Sequence, residues 1–266
     1  MKSYGLTQID NNTDEISYHV ENLRIRGYSI LKKVVSESDC DSFNSKTEDL
    51  YKQQCSELPE DDLIKINEKD LVRLPFLYDA AFTNLFTQDL INEIVSKYIG
   101  SHYYLHLQNA IINRPSQEHH QSSWHRDLPY QDWIISKPLA VNAFYCMSDF
   151  TSQNGATFLL PFSQKIEKFP SKRYVEENQI QMIAPKGSVV LFDSMVFHRA
   201  SFNSTSNVRY GINNMFVVPI LKQQINMAKH ANLSQFDDKA RKLIGISYQL
   251  EENVYDYRLR KLEKHV

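Results

Sequence analysis

Apolar positions along the chain fall into three textures. From Tyr18 to about Gly100 they recur mostly at helical spacing, with polar residues between them. Ser36, followed three positions later by Asp39, predicts a helix start, and Cys40, Phe43, Thr47, Leu50 and Tyr51 then share one face. A second helix is expected to begin at Thr87, bury Leu90, Ile91, Ile94, Val95 and Tyr98, and stop at Gly100. Between them, Leu58 to Lys69 is acidic and reads as a loop or frayed connection.

After residue 101 the pattern changes to short runs rich in Tyr, Ile, Val and Phe: Tyr103–Asn113, Leu139–Met147, Thr157–Leu160, Ser188–Asp193 and Tyr210–Val218. Turn chemistry separates them at Arg114-Pro115-Ser116, Gln153-Asn154-Gly155 and Pro185-Lys186-Gly187-Ser188. Many short strands without long helices between them predict a β-sandwich, jelly roll or barrel. From about Leu221 the chain turns polar and helical again. The whole reads as one α+β domain over residues 1–266: a polar leader (1–17), helical support (18–100), a strand-rich core (101–219) and a helical extension (220–266). No internal repeat is present.

Composition removes several function classes. Thirty Lys and Arg against 32 Asp and Glu leave a net charge of −2, which is not the footprint of a nucleic-acid binder. Seven scattered glycines exclude the clustered-glycine loops that cradle nucleotide phosphates. Cys40, Cys55 and Cys146 form no C-x-x-C pair, so neither a disulfide scaffold nor a structural zinc site is expected. No Ser sits in a glycine elbow, which leaves a hydrolase without support. The N-terminus has no apolar signal segment, and the longest apolar runs, such as Val189 to Phe192, are strand-length. A cytoplasmic protein without membrane or nucleic-acid partners is the expectation.

The informative stretch is Trp124-His125-Arg126-Asp127-Leu128. In a strand, residues two apart face the same way, so His125 and Asp127 would project together. His198 follows the predicted strand Val189–Asp193. Two histidines and one carboxylate form the facial triad that holds non-haem Fe(II) and leaves coordination positions open. An H-x-D pair alone is a weak signal; Arg209, eleven residues after His198, adds to it. By strand period Arg209, Gly211 and Asn213 share a face, where a guanidinium can take a carboxylate by a bidentate pair with Gly211 leaving room beside it.

With these residues in place the chain resembles the phytanoyl-CoA dioxygenase family of Fe(II)/2-oxoglutarate oxygenases. The matching pieces are Arg26-Gly27-Tyr28-Ser29-Ile30, Trp124-His125-Arg126-Asp127, Lys137-Pro138-Leu139, Ser148-Asp149-Phe150 with Asn154-Gly155, Lys186-Gly187 to Asp193, His198-Arg199-Ala200 and Arg209. They cover about residues 18–219 in the family's order. The resemblance implies a double-stranded β-helix (a jelly-roll or cupin-like core) holding iron on His125, Asp127 and His198. It implies that Arg209 grips the distal carboxylate of 2-oxoglutarate, and that O2 converts this cosubstrate to succinate and CO2 while a C–H bond of a small-molecule substrate is hydroxylated. A likeness to ectoine hydroxylase at Trp124–Asp127 and His106–Gln108 makes Gln108 a pocket candidate. The resemblance also assigns the strand carrying Asn142 to the cosubstrate wall. One segment departs from the family: its usual Pro-Gly-Ser-His reads Pro161-Phe162-Ser163-Gln164 here, which touches the substrate mouth and not the triad. Asp127 is present, which disfavours the halogenating variant.

Other residues have blander readings. His119 and His120 read as exposed loop histidines, and His106 as a satisfied core or pocket histidine. Arg126 is expected to point away from the ligands. Tyr130, Gln131 and Trp133 are placed near the pocket mouth, and Cys146 as a small buried hydrophobe. Arg258, Arg260, Lys261 and Lys264 read as cations complementing a helix C-terminus. Two alternatives stand beside the oxygenase: a 2-oxoglutarate-independent Fe(II) dioxygenase and a non-catalytic binding member of the same fold. A homo-oligomer is compatible with all three.

Overall fold

The structure is a computed structural model that describes residues 14–117, 121–128, 133–230 and 232–263. Most of the polar leader, together with His119, His120, Tyr130, Gln131 and Lys264, lies outside the described residues. The N-terminal elements are α1 (Glu15–Arg26), β1 (Tyr28–Leu31), α2 (Glu37–Glu57), α3 (Glu60–Lys65), β2 (Leu71–Arg73), α4 (Thr83–Phe86) and α5 (Asp89–Ile99). The strand-rich part comprises β3 (Tyr104–Asn113), β4 (Ala140–Cys146), β5 (Phe158–Leu159), α6 (Lys172–Asn178), β6 (Ile180–Gln181), β7 (Val189–Asp193), β8 (His198–Arg199) and β9 (Arg209–Val217). The C-terminal helices are α7 (Met227–His230), α8 (Asp238–Leu243) and α9 (Val254–Glu263).

The helix predicted from Ser36 forms as expected. Ser36 accepts a hydrogen bond from the Asp39 amide at 3.1 Å, and α2 buries Cys40, Phe43, Thr47, Leu50 and Tyr51. The helix expected from Thr87 starts two residues later, at Asp89, and ends at Gly100. The acidic stretch Leu58–Lys69 is not merely a loop. Glu60, Asp61 and Asp62 complement the N-terminal dipole of α3, and Leu63 anchors it. The end of the polar leader is also helical, because Asp14 caps α1 by accepting from the Ser17 amide at 2.8 Å.

Six antiparallel strands form one sheet in the order β1-β7-β4-β9-β3-β2, and a smaller sheet runs β6-β5-β8. Together they are the cupin-like, double-stranded β-helix arrangement, with helices at both ends of the chain. The large sheet is covered on both faces, which explains why β7 (VVLFD) and β4 (AVNAFYC) read as continuous apolar runs and not as alternating ones. Val189, Leu191, Val141, Ala143, Tyr145 and Ile212 face the helices. Val190, Phe192, Phe144 and Cys146 face the inner core shared with Phe150, Ala156 and Leu159. Each such Val, Leu, Ile or Phe side chain contributes about 1.5–3 kcal/mol on burial, so the two cores fix which face of these strands looks inward.

A bulge in β3 completes that assignment. Pairing with β9 shifts between Leu105 and Leu107, leaving His106 as the extra residue. Parity reverses there: Leu105, Ala110 and Ile112 pack with the helical layer, whereas Leu107, Asn109 and Ile111 line the interior. In the C-terminal extension, Arg260 ties α9 to the preceding turn through Glu251 at 2.5 Å and the Ser247 carbonyl at 2.8 Å. No helix among the described residues is long and apolar enough to cross a membrane.

Candidate metal centre

His125, Asp127 and His198 offer ligand atoms that all lie within 4.8 Å of one another. They do not come from one regular strand. His125 and His198 form a two-way backbone bridge, each amide donating to the other's carbonyl at 3.0 Å, and the Asp127 amide donates to Ser194 at 3.1 Å. The small sheet therefore delivers one histidine through β8 and pins the H-x-D segment against it.

Second contacts orient both imidazoles. His125 Nδ1 lies 2.9 Å from the Ser123 carbonyl and His198 Nδ1 lies 3.0 Å from the Val196 carbonyl. A carbonyl only accepts, so each Nδ1 carries the proton and each Nε2 is left as a lone pair aimed at the centre. His198 Nε2 sits 3.3 Å and His125 Nε2 3.9 Å from Asp127 Oδ1. Buried His125 Nε2 and Asp127 Oδ2 have no hydrogen-bond partner. Orphaned polar atoms converging this way are what a metal ion satisfies. Burial pushes the His125 imidazole down, aided by the His198 charge; at His198 the Asp127 carboxylate outweighs burial and raises it. Burial alone would raise the Asp127 carboxyl, but the two histidines hold it below the usual range. The set is thus an anionic carboxylate between two imidazoles, the donor chemistry for Fe(II).

The centre opens on a cavity of about 270 Å³ whose lining includes Arg209. This guanidinium is 2% exposed, its Nε and Nη1 have no partner, and no described acid pairs with it. Its carbon lies 4.5 Å from the centre of the Phe150 ring. Burial pushes Arg209 down to about 10, so it remains cationic at neutral pH. Gly211 makes the space: a Cβ there would lie 2.6 Å from Phe144 and 3.1 Å from Phe150, the rings that wall the arginine.

Of the other anticipated residues, Asn142 lies behind the carboxylate. Its Nδ2 donates to Ser194 Oγ at 2.8 Å and its Oδ1 accepts from Asn213 at 2.9 Å. Gln108 is a correction. It is fully buried on the helix-facing side of β3, donating to Asn214 Oδ1 at 2.9 Å and the Phe82 carbonyl at 3.0 Å, and it does not reach the cavity. The parity set by the pairing of Asn109 with Asn213 puts its neighbour inside instead. His106 is buried with Nδ1 unpartnered, and Trp133 lies at a different cavity. Cys146 is buried, which pushes its thiol up.

Arg126 points away from the centre and has a role the sequence did not disclose. Its guanidinium donates to the carbonyls of Met195 at 2.7 Å, Ser163 at 2.9 Å and Ile166, and stacks 3.8 Å from the Phe197 ring centre. It binds the segment between β7 and β8 to the Ser163–Ile166 turn. Ser163 Oγ in turn accepts the Phe197 amide at 2.8 Å, one residue before His198.

The sequence matches the phytanoyl-CoA dioxygenase (PhyH) family over residues 23–211, which include the H-x-D pair, His198 and Arg209. The chain belongs to that family. Membership makes it a non-haem iron, 2-oxoglutarate-dependent enzyme of general oxygenase type, and the His–Asp–His group suits the metal. Among curated relatives of this PhyH-family chain, uncharacterized proteins of Mycobacterium tuberculosis and Mycobacterium bovis are each 27% identical over 263 residues, covering 94% of this chain and 93% of theirs. Dioxygenase hkm4 of Aspergillus hancockii is 29% identical over 141 residues, 48% of this chain and 45% of that protein. Among solved structures, the non-haem α-ketoglutarate-dependent epimerase SnoN from nogalamycin biosynthesis superposes with a TM-score of 0.59 at 13% identity, covering 77% of this chain and 81% of SnoN. The non-haem monooxygenase ThoJ, solved with nickel, gives 0.58 at 13% identity over 78% and 80% of the two chains. These two show the shared fold.

Proposed function

We propose that this protein is an Fe(II)- and 2-oxoglutarate-dependent dioxygenase that hydroxylates a C–H bond of a small metabolite, releasing succinate and CO2. The observation that carries the reading is Arg209: a buried cation without a counter-ion among the described residues, in the same cavity as two imidazoles and a carboxylate. A buried guanidinium without an anion costs several kcal/mol, and the distal carboxylate of 2-oxoglutarate supplies that anion. A dioxygenase that needs no cosubstrate has no use for such a clamp.

His125, Asp127 and His198 would hold iron, which supplies O2 activation and the oxidising equivalent when bound. The residues of this chain do the rest. The Ser123 and Val196 carbonyls keep both Nε2 atoms free to coordinate. Ser194, Asn142 and Asn213 form a fixed hydrogen-bonded chain beside Asp127. Phe144, Phe150 and Phe192 give the buried wall that keeps water from the arginine. The mouth carries Arg73, Asn109 and Gln224, polar groups suited to a small polar substrate.

The test is aerobic incubation of the iron-loaded protein with 2-oxoglutarate and a metabolite library under labelled O2. The reading expects succinate with one labelled oxygen and a substrate that gains the other, both lost in His198→Ala. A product formed without consumption of 2-oxoglutarate would refute it.

A further inference from the structure

A second cavity of about 500 Å³ lies apart from the iron cavity and shares none of its described lining residues. It is bounded by α5, the 133–139 segment before β4, the Gln164–Lys165 turn and the end of β7. Four cations stand around it: Arg24, Lys97, Lys137 and Lys165, all exposed. Lys97 reaches Glu93 at 3.6 Å, whereas Arg24, Lys137 and Lys165 form no ion pair among the described residues. Trp133, 51% exposed, provides an indole at the wall.

The lining has one described acid, Asp193, only 4% exposed. Its carboxyl accepts from the Tyr98 hydroxyl at 2.5 Å and from the Met195 amide at 2.8 Å. Each carboxyl oxygen keeps a second lone pair for a further donor. Positive charge around the rim, an acceptor at depth and an aromatic plane between them call for a ligand with an anionic end, a hydroxyl-bearing end and a carbon face.

We propose that this cavity binds a small organic phosphate of the sugar-phosphate type, its phosphate held by Lys137, Lys165 and Arg24, its hydroxyls directed to Asp193 and its carbon face against Trp133. The assignment is independent of the oxygenase reading, since no residue of the iron cavity takes part. Phosphate binding by flexible lysines acts through point charge, so its strength follows the number of cations and falls with salt.

The test is isothermal titration of the full chain with ribose 5-phosphate, inorganic phosphate and ribose, at fixed low salt. Ribose 5-phosphate is expected to bind saturably, inorganic phosphate about ten-fold more weakly, and ribose not measurably. Reversing two rim charges in Lys137→Glu/Lys165→Glu is expected to weaken ribose 5-phosphate by about ten-fold or more, each factor of ten being about 1.4 kcal/mol. Both positions are exposed, so circular dichroism and 2-oxoglutarate binding at the iron should be unchanged. Absence of saturable binding, or equal binding by the double variant, would overturn the proposal. Equal affinity for inorganic phosphate would overturn the sugar half, and capture by phosphoinositide vesicles without ribose 5-phosphate binding would overturn the soluble ligand.

Discussion

A guanidinium taken out of water without a carboxylate loses hydration, and at Arg209 the Phe150 ring face offers partial relief while no described acid pairs with it. Exchange for an apolar side chain of similar length should therefore stabilise the metal-free protein. Arg209→Met is expected to raise its unfolding free energy by about 1–4 kcal/mol while abolishing cosubstrate binding; chemical denaturation reads the first and anaerobic titration the second. A less stable variant would mean that the arginine is satisfied in the free protein. Asp193 gives a pH signature of its own. Burial pushes its carboxyl up to about 6, so the folded state favours the neutral acid. Its contribution is full below the unfolded carboxyl value and is lost as pH rises toward 6. Relative to wild type, Asp193→Asn should gain on the order of 3 kcal/mol between about pH 4 and pH 6 and no more above it. A difference in stability that stays flat across that window would contradict a raised value. Both residues were visible in the sequence, Arg209 as a candidate clamp and Asp193 as the end of a strand. Only the three-dimensional structure shows that the first is buried without a counter-ion among the described residues and that the second sits against Tyr98.

At the scale of elements, the long periodic segments were legible because one physical rule dominates each. Ser36 and the one-sided apolar face specify α2, and a continuous apolar run specifies β7 once both sheet faces are covered. Short elements such as β2, β6 and β8 hold too few residues for a period to emerge and are defined by their partners. The β3 bulge is the costliest omission: a single extra residue at His106 changes which side chains face inward and sends Gln108 to the helices. Two predictions belong here. Arg126→Ala leaves the carbonyls of Met195 and Ile166 without their donor and the Ser163 carbonyl with the Ile166 amide alone, and should cost about 3 kcal/mol of stability and weaken metal binding. Melting curves and a metal-affinity titration check it; unchanged metal affinity would separate this residue from the ligand scaffold. Gly211→Ala puts a methyl against Phe144 and should cost about 1–3 kcal/mol. Because those rings wall Arg209, its affinity for 2-oxoglutarate should fall as well.

Across the whole molecule, the helices form a support that contributes no described lining residue to the iron cavity, while strands of both sheets and the loops between them supply its groups. β8 brings His198 to His125, the segment after β7 receives the Asp127 amide, and β9 places Arg209 in the lining of the same cavity. That convergence joins residues 125 to 209 in sequence, and the H-x-D spacing, the later histidine and the arginine together make it legible there. The mouth was less legible, since Arg73 and Gln224 come from distant segments with no motif around them. The most direct measurement is anaerobic titration of the iron-loaded protein with 2-oxoglutarate, following the visible metal-to-ligand charge-transfer band. The account predicts a saturable band in the wild type, lost in His198→Ala with the iron and shifted to far weaker binding in Arg209→Ala. Iron bound without a band at any 2-oxoglutarate concentration would contradict it.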